Sequence, residues 1–132
     1  MKKLILILPI LLIMTSSTLK NELINQQGGF AHVVYFWLKN PDNQHDRKAF
    51  EKSLTKFINS SAYIKTKFIG VPAATNREVI DNSFTYSLML TFENKSEQDK
   101  YQEEAVHKIF IEESSELWSK VLVYDSESIL ND

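Results

Sequence analysis

The 132-residue sequence predicts one domain of the α+β class, in which four strands form an antiparallel sheet and the helices cover one of its faces. Hydrophobic residues make up 43% of the chain and charged residues 24%, proportions that are typical of a globular domain. From residue 30 onward, segments with strand periodicity and segments with helical periodicity follow each other in the order β-α-β-β-α-β. No internal repeat or low-complexity stretch interrupts that order.

The N-terminal segment MKKLILILPILLIMTSST, residues 1–18, is expected to be a signal peptide rather than part of the fold. Two lysines precede an apolar run at residues 4–14, and small hydroxyl residues follow it. A membrane-spanning helix needs about 20 apolar residues, so this run is too short to be one. We expect export to the periplasm or the exterior with no stable membrane span after signal removal, and an uncleaved anchor stays open as the alternative.

The segments that flank the predicted domain are short and polar. Residues 19–29 end in Gly28-Gly29, which indicates a flexible lead-in. The domain itself is expected at residues 30–127, and residues 128–132 would form a tail.

Charge and cysteine content exclude several classes of function. The chain has no cysteine, so disulfides, thiolate catalysis and a lipid-modified N-terminal cysteine are excluded. Removal of the signal takes away Lys2 and Lys3 and leaves 13 basic against 17 acidic residues, a formal charge of −4. Because no basic face stands out either, we expect no nucleic acid partner.

The first half of the domain contains a strand, a helix and a second strand. FAHVVYFWLK, residues 30–39, is rich in β-branched and aromatic types and predicts the first strand. Asp42 or Asn43 would then cap a helix at residues 47–59. Apolar side chains recur in that helix at i, i+4, i+7 and i+8, which indicates one buried stripe, namely Phe50, Leu54, Phe57 and Ile58. AYIKTKFIGV, residues 62–71, is expected to be the second strand.

The second half of the domain repeats the pattern after a loop at residues 71–83. FTYSLMLTFE, residues 84–93, alternates between apolar and mostly polar side chains and predicts the third strand. Asn94 or Ser96 would cap one helical region that runs to about Trp118. KVLVYD, residues 120–125, predicts the fourth strand.

This order of elements matches a ferredoxin-like βαββαβ unit, whose sheet has helices on one face only. Both faces of the first strand are nevertheless apolar: His32, Val34, Phe36 and Leu38 point one way, and Val33, Tyr35 and Trp37 point the other way. An exposed apolar face of this size usually marks an interface. We therefore expect a homodimer in which the sheets of two copies pack face to face.

Several segments resemble the stress-responsive A/B barrel (Dabb) family. They are HVVYFWLK in the first strand, YSLMLTFENKSEQDKY across the third strand and the next helix, VHKIF, and VLVYDS in the last strand. Together they span about residues 30–126. The resemblance implies a ferredoxin-like monomer that dimerises through its sheet into an α+β barrel.

The resemblance extends distantly to plant polyketide cyclases of the olivetolic acid cyclase type. It implies a pocket between sheet and helices in which Tyr101 and His107 perform acid–base chemistry on a linear polyketide. By position in the motif, His32, Trp118 and Asp125 match further residues of that pocket.

The sequence departs from the family between these two residues. The family often has His-Pro-x-His here, whereas this chain has EAVH, with Glu104 and Ala105 in place of histidine and proline. In an unbroken helix six residues turn through about 600°, which would leave Tyr101 and His107 about 120° apart. Without the proline, a helix break is not guaranteed, and both Glu103 and Glu104 are expected on a solvated helix face.

We expect a cavity between the sheet and the second helical region that binds a small apolar or aromatic molecule. Its predicted residues are His32, Val34, Phe36, Leu88, Tyr101, His107, Trp118 and Asp125. One alternative is a cofactor-free cyclase or isomerase with Tyr101 and His107 as catalytic residues. The other is an interaction module whose pocket is filled by its own side chains.

Each polar residue of this set also has a structural interpretation. His107 could be a general base or a part-buried histidine bonded to a carbonyl or to Asp125. Tyr101 could donate to an enolate oxygen or simply pack its ring. His32 could line the pocket or lie at the barrel rim, and Asp125 could orient His107 or be solvated.

No metal or cofactor is expected. The three histidines are scattered along the chain, and His45 lies in a polar loop and is expected at the surface. The sequence contains neither a metal-binding histidine motif nor a glycine-rich phosphate loop.

Overall fold

The structure, a computed structural model, describes residues 28–130. Its strands are β1 (Phe30–Leu38), β2 (Thr66–Gly70), β3 (Tyr86–Phe92) and β4 (Trp118–Glu127). Its helices are α1 (Gln44–Ser60), α2 (Lys95–Glu103) and α3 (Ala105–Ser114), and a 3-10 turn (Ser115–Leu117) joins α3 to β4. The signal peptide, most of the lead-in and the last two residues of the tail lie outside the described residues.

The four strands form one antiparallel sheet in the order β2-β3-β1-β4. Strand β1 lies inside the sheet, and it pairs with β3 on one side and β4 on the other. The order of elements and the order of strands confirm the predicted ferredoxin-like α+β fold.

Helix α1 begins earlier than predicted because its N-terminus is capped by a side chain. The Asn43 side chain accepts hydrogen bonds from the backbone N–H groups of His45, at 2.9 Å, and Asp46, at 3.2 Å. These bonds satisfy amides that lack a partner within the helix, so the helix starts at Gln44 instead of residue 47. The predicted apolar stripe of this helix is buried against the sheet.

The strand bounds differ from the predictions in ways that side-chain contacts and pairing explain. Strand β2 starts at Thr66 rather than residue 62, because the preceding segment bends and the backbone N–H of Ala62 donates to the Glu104 carboxylate instead. Strand β4 is longer than predicted, since its pairing with β1 continues from Trp118 to Glu127. Strand β3 is shorter, at Tyr86–Phe92.

The inward face of the sheet forms the core with the helices. In β1 the alternate residues Phe30, His32, Val34, Phe36 and Leu38 are all buried, as the alternation predicts. Inward residues of β3 and the stripe of α1 complete this core. The helices therefore cover one face of the sheet only.

The outward face of the sheet is apolar as well. One row of paired residues crosses all four strands on this face, and it consists of Phe68, Met89, Val33 and Tyr124. Phe68 and Tyr124 are each 57% exposed and Met89 is 45% exposed. No element within residues 28–130 covers this row.

The second helical region is not continuous, which corrects the sequence prediction. Helix α2 ends at Glu103 and α3 begins at Ala105, with Glu104 between them in an extended conformation at φ −59° and ψ 138°. The predicted N-cap is present, because the Asn94 side chain accepts from the backbone N–H of Glu97 at 3.0 Å. None of the helices within residues 28–130 is long and apolar enough to cross a membrane.

Candidate functional site

A cavity of about 260 Å³ lies between the inward face of β1 and β4 and the helices α2 and α3. Its apolar lining is formed by Val34, Phe36, Phe57, Phe110, Ile111, Trp118, Val121 and Val123. Its polar lining is formed by His32, Tyr101, Gln102, His107 and Asp125. The cavity is therefore apolar over most of its surface, with a few polar groups.

Seven of the eight residues predicted for the site line this cavity, and Leu88 does not. Leu88 is only 1% exposed and belongs to the core. It lies on β3, which is on the far side of β1 from β4, whereas the cavity lies over β1 and β4. The face of Leu88 was predicted correctly, but its place across the sheet depends on strand order.

Three aromatic rings that contact one another form one side of the apolar wall. The ring centroid of Trp118 lies 5.4 Å from that of Phe36 and 5.8 Å from that of Phe110. Trp118 occupies this position because β4 begins with it, directly after the 3-10 turn that ends α3. The three rings fix one another, so this side of the cavity is preorganised.

Tyr101 and His107 come together across the break between α2 and α3. Their ring centroids are 5.0 Å apart, with the ring planes inclined by 38°. An unbroken helix would have placed them on different faces, so the extended residue Glu104 makes the contact possible. The sequence left open whether the helix breaks without the proline, and the structure shows that it does.

The hydrogen bond of His107 fixes which ring nitrogen holds the proton. Its Nδ1 lies 3.2 Å from the backbone carbonyl oxygen of Gln102, and a carbonyl oxygen can only accept. The proton is therefore on Nδ1, and Nε2 keeps its lone pair. The break makes this bond possible, because in a continuous helix that carbonyl would accept from the amide four residues later.

Burial lowers the pKa of the His107 imidazole below its ordinary value of 6.5. The hydrogen bond to Gln102 opposes this shift, and nearby His32 adds to it. The lowered pKa means that the ring is predominantly neutral at pH 7. Neutral His107 can accept a hydrogen bond, or a proton, at Nε2.

His32 is paired with Asp125, not left at a barrel rim. His32 Nδ1 lies 2.6 Å from Asp125 Oδ1, and the two residues face each other in the β1–β4 register. Only 5% of His32 is exposed, so this partner satisfies a buried polar ring. Asp125 thus orients His32 rather than His107, which corrects one interpretation of the sequence.

Tyr101 is held by its ring while its hydroxyl stays unpaired. It is 1% exposed, stacks on Phe57 at a centroid distance of 5.4 Å, and also contacts Phe92 at 4.8 Å. Within residues 28–130 its hydroxyl has no hydrogen-bond partner. Burial, reinforced by the charges of Glu104 and Asp125, raises the Tyr101 pKa well above its ordinary value of 10.0, so the hydroxyl keeps its proton.

The polar groups together suit a neutral molecule. They offer one hydroxyl donor, on Tyr101, and an acceptor nitrogen on His107. Among residues 28–130, the carboxylate of Asp125 is the one formally charged side chain in the lining, and no lysine or arginine of this range lines the cavity. A carboxylate or phosphate would find no cation here and would meet the negative charge of Asp125.

Several contributors to the site were not identified from the sequence: Ile111, Val121 and Val123 also line the cavity, and three further residues contribute in other ways. Phe57 was predicted as a core residue, but its ring also contacts His107, at a centroid distance of 5.1 Å. Gln102 acts through its backbone carbonyl, which has no sequence signal. Glu104 was expected on a solvated face, yet its carboxylate accepts from Ser61 Oγ at 2.5 Å and from the Ala62 amide at 2.8 Å.

His45 and Glu103, which were expected at the surface, are both exposed. His45 is exposed and follows the cap of α1. Glu103 pairs with Lys108 at the surface, at 2.8 Å. The described part of the chain contains no group of three or more histidine, aspartate or glutamate side chains arranged to hold a metal ion.

Comparison with known proteins identifies the family and the fold. Residues 30–128 match the family described as the Stress responsive A/B Barrel Domain, Dabb. No curated protein matches the chain.

Three solved structures illustrate the likeness. A Dabb family protein with a ferredoxin-like fold from Mesorhizobium loti has a TM-score of 0.65 at 18% identity, over 78% of this chain and 99% of that chain. A dimeric ferredoxin-like protein of unknown function from Thermobifida fusca has a TM-score of 0.62 at 12% identity, over 77% and 93%. Hydroxynitrile lyase from Passiflora edulis has a TM-score of 0.64 at 16% identity, over 80% and 98%.

At these identities the structural likeness shows the fold alone. The family match, however, extends from the first strand to just beyond the last one. The protein belongs to the stress responsive A/B barrel (Dabb) domain family.

Proposed function

We propose that the protein binds a small, neutral, apolar or aromatic molecule in the cavity beside Trp118. The observation that supports this most is the cavity itself, about 260 Å³ with a mainly apolar lining. An engineered apolar cavity of about 150 Å³ is enough to hold benzene. The volume here therefore suits one or two fused aromatic rings or an alkyl chain of similar size.

The polar groups of the cavity narrow the expected ligand further. The Tyr101 hydroxyl has no partner within the described residues, and His107 Nε2 is free to accept. Neither atom is among the buried unpaired atoms of the described residues, so water can reach both, and a ligand that displaces this water without replacing its hydrogen bonds loses affinity. A ligand with one hydroxyl or carbonyl group at its end would satisfy them.

A titration with 2-naphthol followed by NMR tests this proposal, with naphthalene as the probe that lacks the hydroxyl. The chain has two tryptophans, and only Trp118 lines the cavity. Trp37 lies on the opposite face of the sheet, where its indole N–H donates to Ser83 Oγ at 3.1 Å. We expect the indole N–H signal of Trp118 to shift on titration while that of Trp37 stays in place, and naphthalene to bind more weakly.

Equal shifts of both indole signals, or no shift at millimolar 2-naphthol, would argue against a specific site in this cavity. Replacing Trp118 by alanine would enlarge the cavity and remove the reporter, so it is not a suitable control. His45→Ala is suitable, because this histidine is exposed and distant from the lining.

A second candidate function is cofactor-free acid–base catalysis at the same site. It is favoured by the 5.0 Å contact between Tyr101 and His107 and by the proton on His107 Nδ1. His107 Nε2 would take a proton from a carbon next to a carbonyl group, and Tyr101 would donate a hydrogen bond to the enolate oxygen that forms. That one solved structure of this fold is a hydroxynitrile lyase shows that the fold can support an enzyme.

Deuterium exchange distinguishes an enzyme from a binding protein. Incubation of phenylacetone with the protein in D₂O would incorporate deuterium next to the carbonyl if His107 abstracts that proton. His107→Ala should abolish the exchange, whereas His45→Ala should not affect it. Exchange at the buffer rate with the unaltered protein would leave binding as the better description for this substrate class.

The interaction-module alternative has less support. It requires a pocket filled by the protein's own side chains, and the described side chains leave about 260 Å³ open.

We also propose that two copies associate through their outward sheet faces. The apolar row from Phe68 to Tyr124 is exposed in the single chain, and one solved structure of the same fold is described as dimeric. Export remains a proposal that is based on residues 1–18 alone. Detection of a mature N-terminus near residue 18 in the periplasm or culture fluid would test it.

A further inference from the structure

The break between α2 and α3 occurs without the residues that normally produce one. Sharp helix breaks are usually found at proline, at glycine or at inserted polar groups. The residues at this break are Glu103, Glu104 and Ala105, and alanine and glutamate are both good helix formers. Some tertiary contact must therefore hold Glu104 out of helical conformation.

The Glu104 carboxylate makes that contact. One oxygen accepts from the Ser61 hydroxyl at 2.5 Å, and the other accepts from the Ala62 backbone N–H at 2.8 Å. Both donors lie just after the end of α1, where Ser61 is the C-terminal cap. The side chain thus ties the α2–α3 junction to the end of α1, with both carboxylate oxygens engaged.

The bonds from Ser61 and Ala62 to Glu104 affect the residues that line the cavity. Phe57 lies in the last turns of α1 and contacts the rings of both Tyr101 and His107, at 5.4 and 5.1 Å. The break also frees the Gln102 carbonyl, to which His107 Nδ1 donates at 3.2 Å. A continuous helix would remove that acceptor and would move His107 away from Tyr101.

We propose that Glu104 is a positioning residue, whose carboxylate bonds to Ser61 and Ala62 hold the helix break that brings His107 to Tyr101 with its proton on Nδ1. Its importance for ligand binding rests on the proposed function, but its effect on the geometry and tautomer of His107 does not. Glu104 touches no ligand in this proposal; it acts on the position of His107 through the backbone, and its charge also contributes to the raised pKa of Tyr101.

Proline at position 105 offers a specific rescue of the break. Glu104 has φ −59° and ψ 138°, outside the helical region that is disfavoured for a residue that precedes proline. Ala105 is the first residue of α3, a position where proline is favoured and its missing N–H is not needed. The double substitution Glu104→Ala with Ala105→Pro should therefore restore the break without the carboxylate.

The experiment measures the tautomer of His107 through the two-bond and three-bond couplings of its ring nitrogens in ¹⁵N-labelled protein. The variants are Glu104→Ala, Ser61→Ala and the Glu104→Ala/Ala105→Pro double variant. Glu112→Ala is the matched control, because this glutamate is an exposed residue of the neighbouring helix α3. The signals of the three histidines are assigned by single His→Gln substitutions.

We expect the unaltered protein and Glu112→Ala to show His107 with the proton on Nδ1. Glu104→Ala should give a mixture of tautomers, Ser61→Ala a smaller change in the same direction, and the double variant a return to the original pattern. If 2-naphthol binds, its dissociation constant should rise about threefold to tenfold in Glu104→Ala, as expected for one lost hydrogen bond, and recover in the double variant.

An unchanged His107 tautomer in both Glu104→Ala and Ser61→Ala would overturn the proposal. The proposal would also be overturned if Glu104→Ala changed the His107 tautomer and the Glu104→Ala/Ala105→Pro double variant did not restore it. The carboxylate would then act by a route other than the helix break. If Glu104→Ala does not fold, the His107 tautomer in Ser61→Ala, compared with that in the unaltered protein, still tests the proposal. Failure of 2-naphthol to bind any variant, with the tautomers changing as expected, would contradict the proposed function and leave the role of Glu104 standing.

Discussion

His32 Nδ1 lies 2.6 Å from Asp125 Oδ1, and this pair connects strand β1 to the edge strand β4 at the polar end of the cavity. The imidazole is almost fully buried, whereas 45% of the Asp125 side chain is exposed. Because the carboxylate can only accept, the His32 proton that it binds is on Nδ1. The pair therefore orients a second ring beside Tyr101, whose centroid is 5.7 Å from that of His32.

Loss of the Asp125 acceptor is expected to destabilise the fold. Asp125→Ala would leave the buried N–H of His32 without a partner, at a cost of about 1–3 kcal/mol, whereas Asp125→Asn keeps an oxygen that can accept. Urea denaturation should show a clear loss of unfolding free energy for the alanine variant and a smaller loss for asparagine. Asp99→Ala is the control, because it removes only a surface ion pair with Lys95.

This interpretation would be wrong if Asp125→Ala were as stable as Asp99→Ala. In that case the exposed side of Asp125 would allow water to replace the carboxylate at no cost.

The low pKa of His107 predicts a pH dependence with a definite sign. Burial is the main cause, so the folded state favours the neutral ring more than the unfolded state does. Between the folded-state pKa and the ordinary value of 6.5 the unfolded chain binds more protons, and stability therefore rises with pH in that window. The contribution is fully present above pH 6.5 and is lost as the pH falls through the lower, folded-state pKa.

The measurement is the urea midpoint at several pH values between about 5 and 8, for the unaltered protein and for His107→Gln. The remaining titratable groups are the same in both proteins, so the difference between the two curves isolates His107. We expect the variant to show a flatter curve below pH 6.5. Parallel curves would contradict a buried, neutral His107.

The fold was largely predictable because each strand has a local signal. FAHVVYFWLK and FTYSLMLTFE have alternating or β-branched patterns, and their inward faces are buried as expected. Strand bounds were less accurate, since they depend on pairing partners that lie far away in the chain. Strand β4 is the best example, because its ends are fixed by its register with β1.

The site was predicted less completely, for two physical reasons. Leu88 was misplaced because its distance from the cavity depends on strand order and not on its own pattern. The sequence could not decide whether the helix breaks, because the break depends on tertiary bonds between Glu104 and the end of α1. A glutamate in a run of helix formers has no local feature that distinguishes an acceptor of tertiary hydrogen bonds from a solvated side chain.

Filling the cavity should abolish binding with little effect on stability. Val121 lines the cavity from β4, and Val121→Phe would place a ring in the open volume. Such a change costs about 1–3 kcal/mol in a close-packed core, but less where space is present. Leu122→Phe is the matched control, since the next residue of the same strand points to the opposite face.

We expect 2-naphthol to shift the Trp118 indole signal in Leu122→Phe and not in Val121→Phe. The two variants should unfold at similar temperatures. Binding retained by Val121→Phe would place the ligand elsewhere. A loss of stability confined to Val121→Phe would mean that the space is smaller in solution than the structure shows.

The outward face of the sheet provides the last prediction. Met89 lies in the middle of the exposed row, between Phe68 of β2 and Val33 of β1, so a charge there would face the partner's apolar surface. Met89→Lys should convert a dimer into a monomer. Association would bury the lysine ammonium group without a partner, and the free-energy cost of that burial exceeds the gain from burying apolar side chains around it. Glu112→Lys introduces the same side chain on an exposed helix position and should leave the assembly intact.

Light scattering after size exclusion at micromolar concentration gives the mass directly. We expect the mass of two chains for the unaltered protein and Glu112→Lys, and of one chain for Met89→Lys. A single-chain mass for the unaltered protein would contradict the dimer. Because the cavity is on the helix side of the sheet, monomeric Met89→Lys should still bind 2-naphthol, and loss of binding would show that the site depends on the assembly.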